Sequence, residues 1–167
     1  IIIKLESKGP LFFVQKRNGL NYHEFDCYKF RSMNLNPEAH LEQVSKNDPR
    51  ITRVGRFLRK TSIDELPQFI NVFLGQMSVV GPRPHMVSHT EMYAQRVNKF
   101  MVRHFVKPGI TGLAQTKGYR GEVEKETDII NRVKYDIFYM ENWSILLDIK
   151  IIFMTIFNTV KGEDKAY

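Results

Sequence analysis

Apolar positions change their spacing several times along this chain, and each change marks an element. Leu11-Phe12-Phe13-Val14 forms one apolar run and residues 25–30 a second, aromatic-rich one, with Asn18-Gly19-Leu20-Asn21 between them. Two such runs around turn residues predict a β-hairpin. Residues 37–47 are polar and read as helical or loose. Over 50–58 the period becomes helical: Ile51, Val54, Phe57 and Leu58 share one face, and Arg50, Arg53, Arg56 and Lys60 another. Residues 64–74 predict a further apolar helix ended by Gly75. Val79-Val80 runs into Gly81-Pro82-Arg83-Pro84, a loop stiffened by two prolines.

Residues 85–102 predict a helix with Val87, Ala94, Val97 and Met101 inward, and 108–112 a loop. Residues 122–140 predict a helix with Ile129, Ile130, Val133, Ile137 and Met140 inward. Over 143–160 Ser144, Asp148, Thr155 and Thr159 gather into one narrow polar stripe on an otherwise apolar helix. That pattern suits a core helix and a helix lying in a membrane interface equally well. It is too interrupted to span a bilayer. The expected fold is α+β: one mostly helical domain over 1–167 with a small antiparallel hairpin and an amphipathic C-terminal helix.

Composition narrows the partners. The 167 residues are 43% hydrophobic and 26% charged, which excludes wholesale disorder. One cysteine, Cys27, excludes an intrachain disulfide or a multi-cysteine metal site. A net charge of +7 favours polyanions: nucleic acid, nucleotide phosphates or an anionic membrane. No signal-peptide pattern is read in these residues. The opening Ile1-Ile2-Ile3-Lys4-Leu5 has no cap or turn before it and reads as a cut inside a longer protein.

The densest polar string is Arg59-Lys60-Thr61-Ser62-Ile63-Asp64-Glu65-Leu66-Pro67-Gln68. Ser62 with Glu65 matches a capping box; alternatively Asp64 is the N-cap, which accommodates Pro67 better. Either register sets two adjacent carboxylates in a helix's first turn, where the dipole favours ionisation. An ionised aspartate there can serve as a nucleophile or a Mg²⁺ ligand, or it can merely cap. Cations in stiff settings raise the first reading: Lys29 and Arg31 at the hairpin's end, Arg83 between prolines, Arg103 and Lys107 before Pro108-Gly109. Carboxylates for a divalent ion and pre-placed cations for phosphate oxygens are what phosphoryl transfer needs. P-loop and dinucleotide fingerprints are absent, and His85 and His89 lack the HExxH pattern of a zinc site. Gly109-Ile110-Thr111-Gly112 fits the G-x-x-G of an RNA-clamping loop, though without the surrounding βααβ pattern. A basic RNA-binding module and a non-catalytic membrane-surface scaffold are therefore the competing classes.

Several strings together resemble one family. They are Lys4-Leu5-Glu6-Ser7-x-Gly9-Pro10, Gln15-x-Arg17-x-Gly19 and Lys29-Phe30-Arg31-Ser32-Met33, then Leu58-Arg59-x-x-Ser62-x-Asp64-Glu65-Leu66-Pro67-Gln68. Met77-Ser78-x-Val80-Gly81-Pro82-Arg83-Pro84 and Arg103-His104-x-x-Lys107-Pro108-Gly109-Ile110-Thr111-Gly112-x-Ala114-Gln115 complete the set. In order and over nearly the whole chain, they resemble the bacterial sugar transferases, or monotopic phosphoglycosyl transferases. The resemblance implies transfer of a sugar 1-phosphate, glucose 1-phosphate above others, from a UDP-sugar to undecaprenyl phosphate with release of UMP, starting exopolysaccharide synthesis. It implies Asp64 as nucleophile, Asp64 and Glu65 as Mg²⁺ ligands, Lys29, Arg59, Arg83 and Arg103 as phosphate-facing cations, and Asp136 as an acidic neighbour. The implied setting is the cytoplasmic face of a bacterial inner membrane, with a membrane-inserted segment upstream of Ile1. The implied partners are donor, lipid acceptor and membrane surface, not nucleic acid; self-association is left open. Lys107 stands where many members carry arginine, which forfeits bidentate phosphate geometry.

Overall fold

A computed structural model describes residues 1–35, 48–121, 123 and 125–161. The polar segment expected over 37–47 lies outside the described residues. A short helix α1 (Ile2–Glu6) leads into the hairpin, β1 (Phe12–Asn18) and β2 (Glu24–Phe30), paired antiparallel from Phe12↔Phe30 to Asn18↔Glu24. The first strand runs four residues further than its apolar run, because Gln15 and Arg17 alternate with outward-facing Val14 and Lys16. The reversal is a 3₁₀ turn, Leu20–Tyr22, with Asn21 and Tyr22 both at positive φ.

α2 (Arg53–Lys60) is capped twice. Thr52 Oγ1 accepts from Gly55 N at 2.9 Å, and the Glu6 carboxylate accepts from Arg53 N and Val54 N. Gly55 lets the helix lie on the chain after β2, since a Cβ there would stand 1.8 Å from Ser32 O. The helix expected over 64–74 is split. Ile63–Glu65 is a single 3₁₀ turn, and α3 (Gln68–Phe73) begins only after Pro67. Asn71, fully buried, bolts α3 to β2: its side chain accepts from Tyr28 N and donates to Asp26 O at 2.7 Å.

β3 (Ser78–Val80) pairs in parallel with β4 (Gly109–Thr111), so the segment expected as a loop is a strand. Gly109 permits the approach, for a Cβ would sit 2.1 Å from Gly81 N. This accounts for the G-x-x-G string without RNA. The helix expected over 85–102 ends early: α4 (Val87–Arg96) is followed by Lys99 at φ 61° and a 3₁₀ segment, Phe100–Phe105. Its buried residues are Thr90 and Tyr93, and Ala94 packs half-buried against the same core as Val97 and Met101, as expected, whereas Val87 is not in that cluster. After α5 (Leu113–Thr116) come α6 (Glu126–Glu141) and α7 (Ile145–Lys161). Ile129 and Val133 of α6 pack with Tyr93, Val97 and Phe100 as one core cluster.

α7 is amphipathic in an inverted sense. Its polar stripe faces the protein: Asp148 accepts from Tyr139 Oη at 2.9 Å, Thr155 meets the Thr111 hydroxyl at 2.6 Å, and Asn158 donates to Thr116 O. Ile151 alone on this helix is buried; Ile145, Leu146, Phe153, Ile156, Phe157 and Val160 are all exposed. Among the described residues no helix is long and apolar enough to cross a membrane.

Candidate active site

The site is assembled where α2 ends. Ser62 adopts the left-handed conformation (φ 58°) and swings the chain from α2 into the 3₁₀ turn carrying Asp64 and Glu65, each 6% exposed. Neither expected capping arrangement forms: no side chain caps this turn, and the carboxylates precede α3 rather than open it. Their charge is balanced by side chains instead of a helix dipole.

Glu65 is fully engaged. Lys29 Nζ lies 2.8 Å and Arg83 Nη2 2.6 Å from its Oε1, and Arg120 Nη2 3.4 Å from Oε2. β2, held by Asn71, supplies Lys29; the Pro82-Arg83-Pro84 loop supplies Arg83. Burial pushes the Glu65 carboxyl up, but Arg83, Lys29 and Arg120 outweigh it and hold it well below the usual carboxylate range. Asp64 differs. Among the described residues its carboxylate accepts no hydrogen bond, and burial together with the Glu65 charge raises its pKa against the pull of Lys29, Arg59 and Arg120. Arg59 makes only a 3.4 Å contact to Ser32 Oγ and a long one to Met33 Sδ. It has no carboxylate within ion-pair distance among the described residues.

Beside Glu65 opens a small cleft of about 80 Å³, with Asp64 behind its wall and not in it. Ser62, Glu65, Gln115 and Arg120 form one part of its wall, and Thr155 and Thr159 of α7 another. Gln115 also accepts from Arg83 Nη1 at 2.9 Å, fixing that guanidinium.

Arg103 and Asp136 sit elsewhere. They form a 2.7 Å ion pair with side chains only 2% and 3% exposed, inside the protein. Arg103 Nη2 donates to Arg83 O at 2.8 Å, so it supports the Arg83 loop from behind. His85 lies between Arg103 and Arg132, bonded to both, and burial with the two guanidinium charges keeps it neutral far below the usual imidazole range. Among the described residues no group of three or more His, Cys, Asp or Glu is arranged to hold a metal ion. Arg31 is also structural: it donates to Ser7 O and Lys8 O at the end of α1.

The sequence analysis gave no site role to Arg120, Gln115 or Arg17. Arg17 donates to Pro84 O at 3.2 Å, so adjacent carbonyls of the Arg83 loop are each gripped by a buried guanidinium. The signal for Arg17 was its inward place in β1, three residues beyond where the apolar run stops.

The sequence matches the family model described as Bacterial sugar transferase over residues 1–162. It is 53% identical over 156 residues to a UDP-glucose:undecaprenyl-phosphate glucose-1-phosphate transferase of Klebsiella pneumoniae, covering 93% of this chain and 34% of that protein. The protein of the same description from Escherichia coli (strain K12) is 50% identical over 158 residues, covering 94% and 34%. That of Xanthomonas campestris pv. campestris is 48% identical over 167 residues, covering 99% and 34%. The chain thus spans about a third of the length of these relatives.

Proposed function

The chain belongs to the bacterial sugar transferase family, and from that premise we propose that it carries the catalytic site of a UDP-glucose:undecaprenyl-phosphate glucose-1-phosphate transferase working by two displacements on Asp64. The observation that carries this reading is the unequal treatment of two neighbouring carboxylates: Glu65 is held by three cations while Asp64 is buried without a hydrogen bond. A carboxylate without donors is the more nucleophilic of the two.

In the first displacement an Asp64 oxygen attacks the sugar-bearing phosphorus of UDP-glucose. The bond from that phosphorus to the bridging oxygen breaks, and UMP leaves with the electron pair. In the second, an oxygen of undecaprenyl phosphate attacks the same phosphorus and the aspartyl carboxylate departs unchanged. Lys29, Arg59, Arg83 and Arg120 outnumber Asp64 and Glu65 by four charges to two, an excess that matches a diphosphate. Arg59, free of a carboxylate partner among the described residues, is the guanidinium best placed to take phosphate oxygens. Arg103 and Asp136 act through the Arg83 loop rather than on substrate.

The donor set fits Mg²⁺, since that ion is held by one or two carboxylates plus substrate phosphates and needs no all-protein cage. Asp64 would hold it, with Glu65 beside it, and the ion would neutralise charge on the leaving phosphate. The exposed apolar face of α7, with Phe73 and Leu74 at the end of α3 (91% and 60% exposed), suits a bacterial membrane surface where the lipid phosphate lies. This is the physical counterpart of the inverted helix, and it gives the first step of exopolysaccharide assembly a place to occur.

The test is UMP release by the intact protein from a panel of UDP-sugars, with and without undecaprenyl phosphate and Mg²⁺. The reading expects UDP-glucose to be preferred, lipid-linked glucose phosphate as product, and loss of turnover on chelation. No UMP from any UDP-sugar overturns it.

A further inference from the structure

Ser62 occupies a position whose backbone asks for glycine. It is the residue after the C-cap of α2, Thr61, and its N–H donates to Arg59 O at 3.1 Å, the pairing that closes a helix through a left-handed residue. Glycine enters that conformation without steric cost; serine does not. Its side chain adds a second unfavourable feature. Ser62 Oγ is buried and has no hydrogen-bond partner among the described residues, although the residue lines the cleft with Glu65, Gln115 and Arg120. Ser62 also joins the two halves of the site, with Arg59 three residues before it and Asp64 two after it. A strained backbone and an unpaired hydroxyl at the joint of an active site indicate a group kept for a ligand.

We propose that Ser62 Oγ–H donates a hydrogen bond to a non-bridging oxygen of a substrate phosphate during the transfer, a role that rests on the two-displacement reading above. A step of χ1 between staggered positions carries the hydroxyl from its buried setting toward the cleft. Once there it can meet a phosphate oxygen as its acceptor. Two phosphates could supply that oxygen, the donor's sugar-bearing group or the lipid acceptor's, and the chemistry of recognition is shared.

The experiment compares Ser62→Gly and Ser62→Ala with the parent in the intact protein. It measures melting temperature, the UMP burst from UDP-glucose without acceptor, and lipid-linked product formation with undecaprenyl phosphate. Glycine relieves the left-handed strain, so Ser62→Gly should melt a few degrees higher, while Ser62→Ala should not. Both should lose roughly 10²-fold in kcat with KM for UDP-glucose little changed, as for removal of one donor that acts in the transition state. A slowed burst assigns the hydroxyl to the donor phosphate; a normal burst with slowed lipid product assigns it to the acceptor. Parent-level rates for Ser62→Gly in both steps overturn the proposal and make Ser62 a turn residue only. Absence of a burst in the parent protein would instead strike the two-displacement reading, so the two failures are distinguishable.

Discussion

Lys29, Arg59, Arg83 and Arg120 surround two adjacent carboxylates beside a cleft, whereas Arg103 and Arg132 share one aspartate and one imidazole in the interior behind the Arg83 loop. Both groups have more cations than anions, yet they do different work. In the interior group Arg103 is held by Asp136, His85 and Arg83 O together, so its guanidinium is committed to the fold. In the group around the two carboxylates Arg59 is held by almost nothing, and Asp64 accepts no hydrogen bond among the described residues. Burial with partners fixes geometry, and burial without them stores reactivity.

Substitution should separate the two groups, turnover falling in one and stability in the other. Asp64→Asn should abolish UMP release, a loss of 10⁴-fold or more as for removal of a nucleophile, with the melting temperature near that of the parent. Measurable turnover in that variant would remove Asp64 from its role. Arg83→Lys should cost roughly 10²- to 10³-fold in kcat, because one ammonium cannot reach Glu65, Gln115 and a phosphate together. In the interior, Asp136→Ala leaves Arg103 without its carboxylate and should destabilise the fold by about 3–5 kcal/mol in chemical denaturation. Equal stability of that variant would break the distinction.

Two pH effects sharpen it further. Burial raises the Asp64 pKa above its ordinary 3.8, so turnover should fall on acidification before an exposed aspartate would titrate. Arg59→Met removes a cation and should move that acid limb higher; Glu65→Gln removes an anion and should move it lower, which a pH–kcat profile reads directly. The interior responds through stability. His85 and His104, the latter pushed down to about 4 by burial, stay neutral in the fold but take up a proton when unfolded. Their contribution is complete above pH 6.5 and shrinks as pH falls below it. Urea melts at pH 7.5 and 5.5 should therefore differ by about 2 kcal/mol, less stable in acid, with part of the His104 share screened by solvent.

The hairpin and α6 were legible because apolar spacing is a local signal and their packing agrees with it. β4 was not, since three residues held by a parallel partner some thirty positions away carry no period of their own. The end of α4 was hidden, because Val97 leaves the helix in an extended conformation and Lys99 then turns left-handed, and neither residue type gives warning of it. A helical wheel finds the polar stripe of α7 but not which side faces inward, and only Thr111, Thr116 and Tyr139 as partners reveal the inversion. In the site, Asp64, Glu65, Lys29 and Arg83 were readable from motif and charge. Arg103 has the same composition signal as Arg83 yet points into the interior, and Arg120 lies in an irregular stretch with no pattern to single it out.

The central claim is that the uncommitted carboxylate becomes covalently bonded to phosphorus. Intact protein incubated with UDP-glucose in the absence of lipid, then quenched, digested and mapped by mass spectrometry, tests it most directly. The account predicts glucose phosphate on the peptide carrying Asp64, fragmentation placing it on that side chain, and one UMP released per adduct. An adduct on Glu65, or UMP appearing only when undecaprenyl phosphate is present and with no adduct at all, would contradict it.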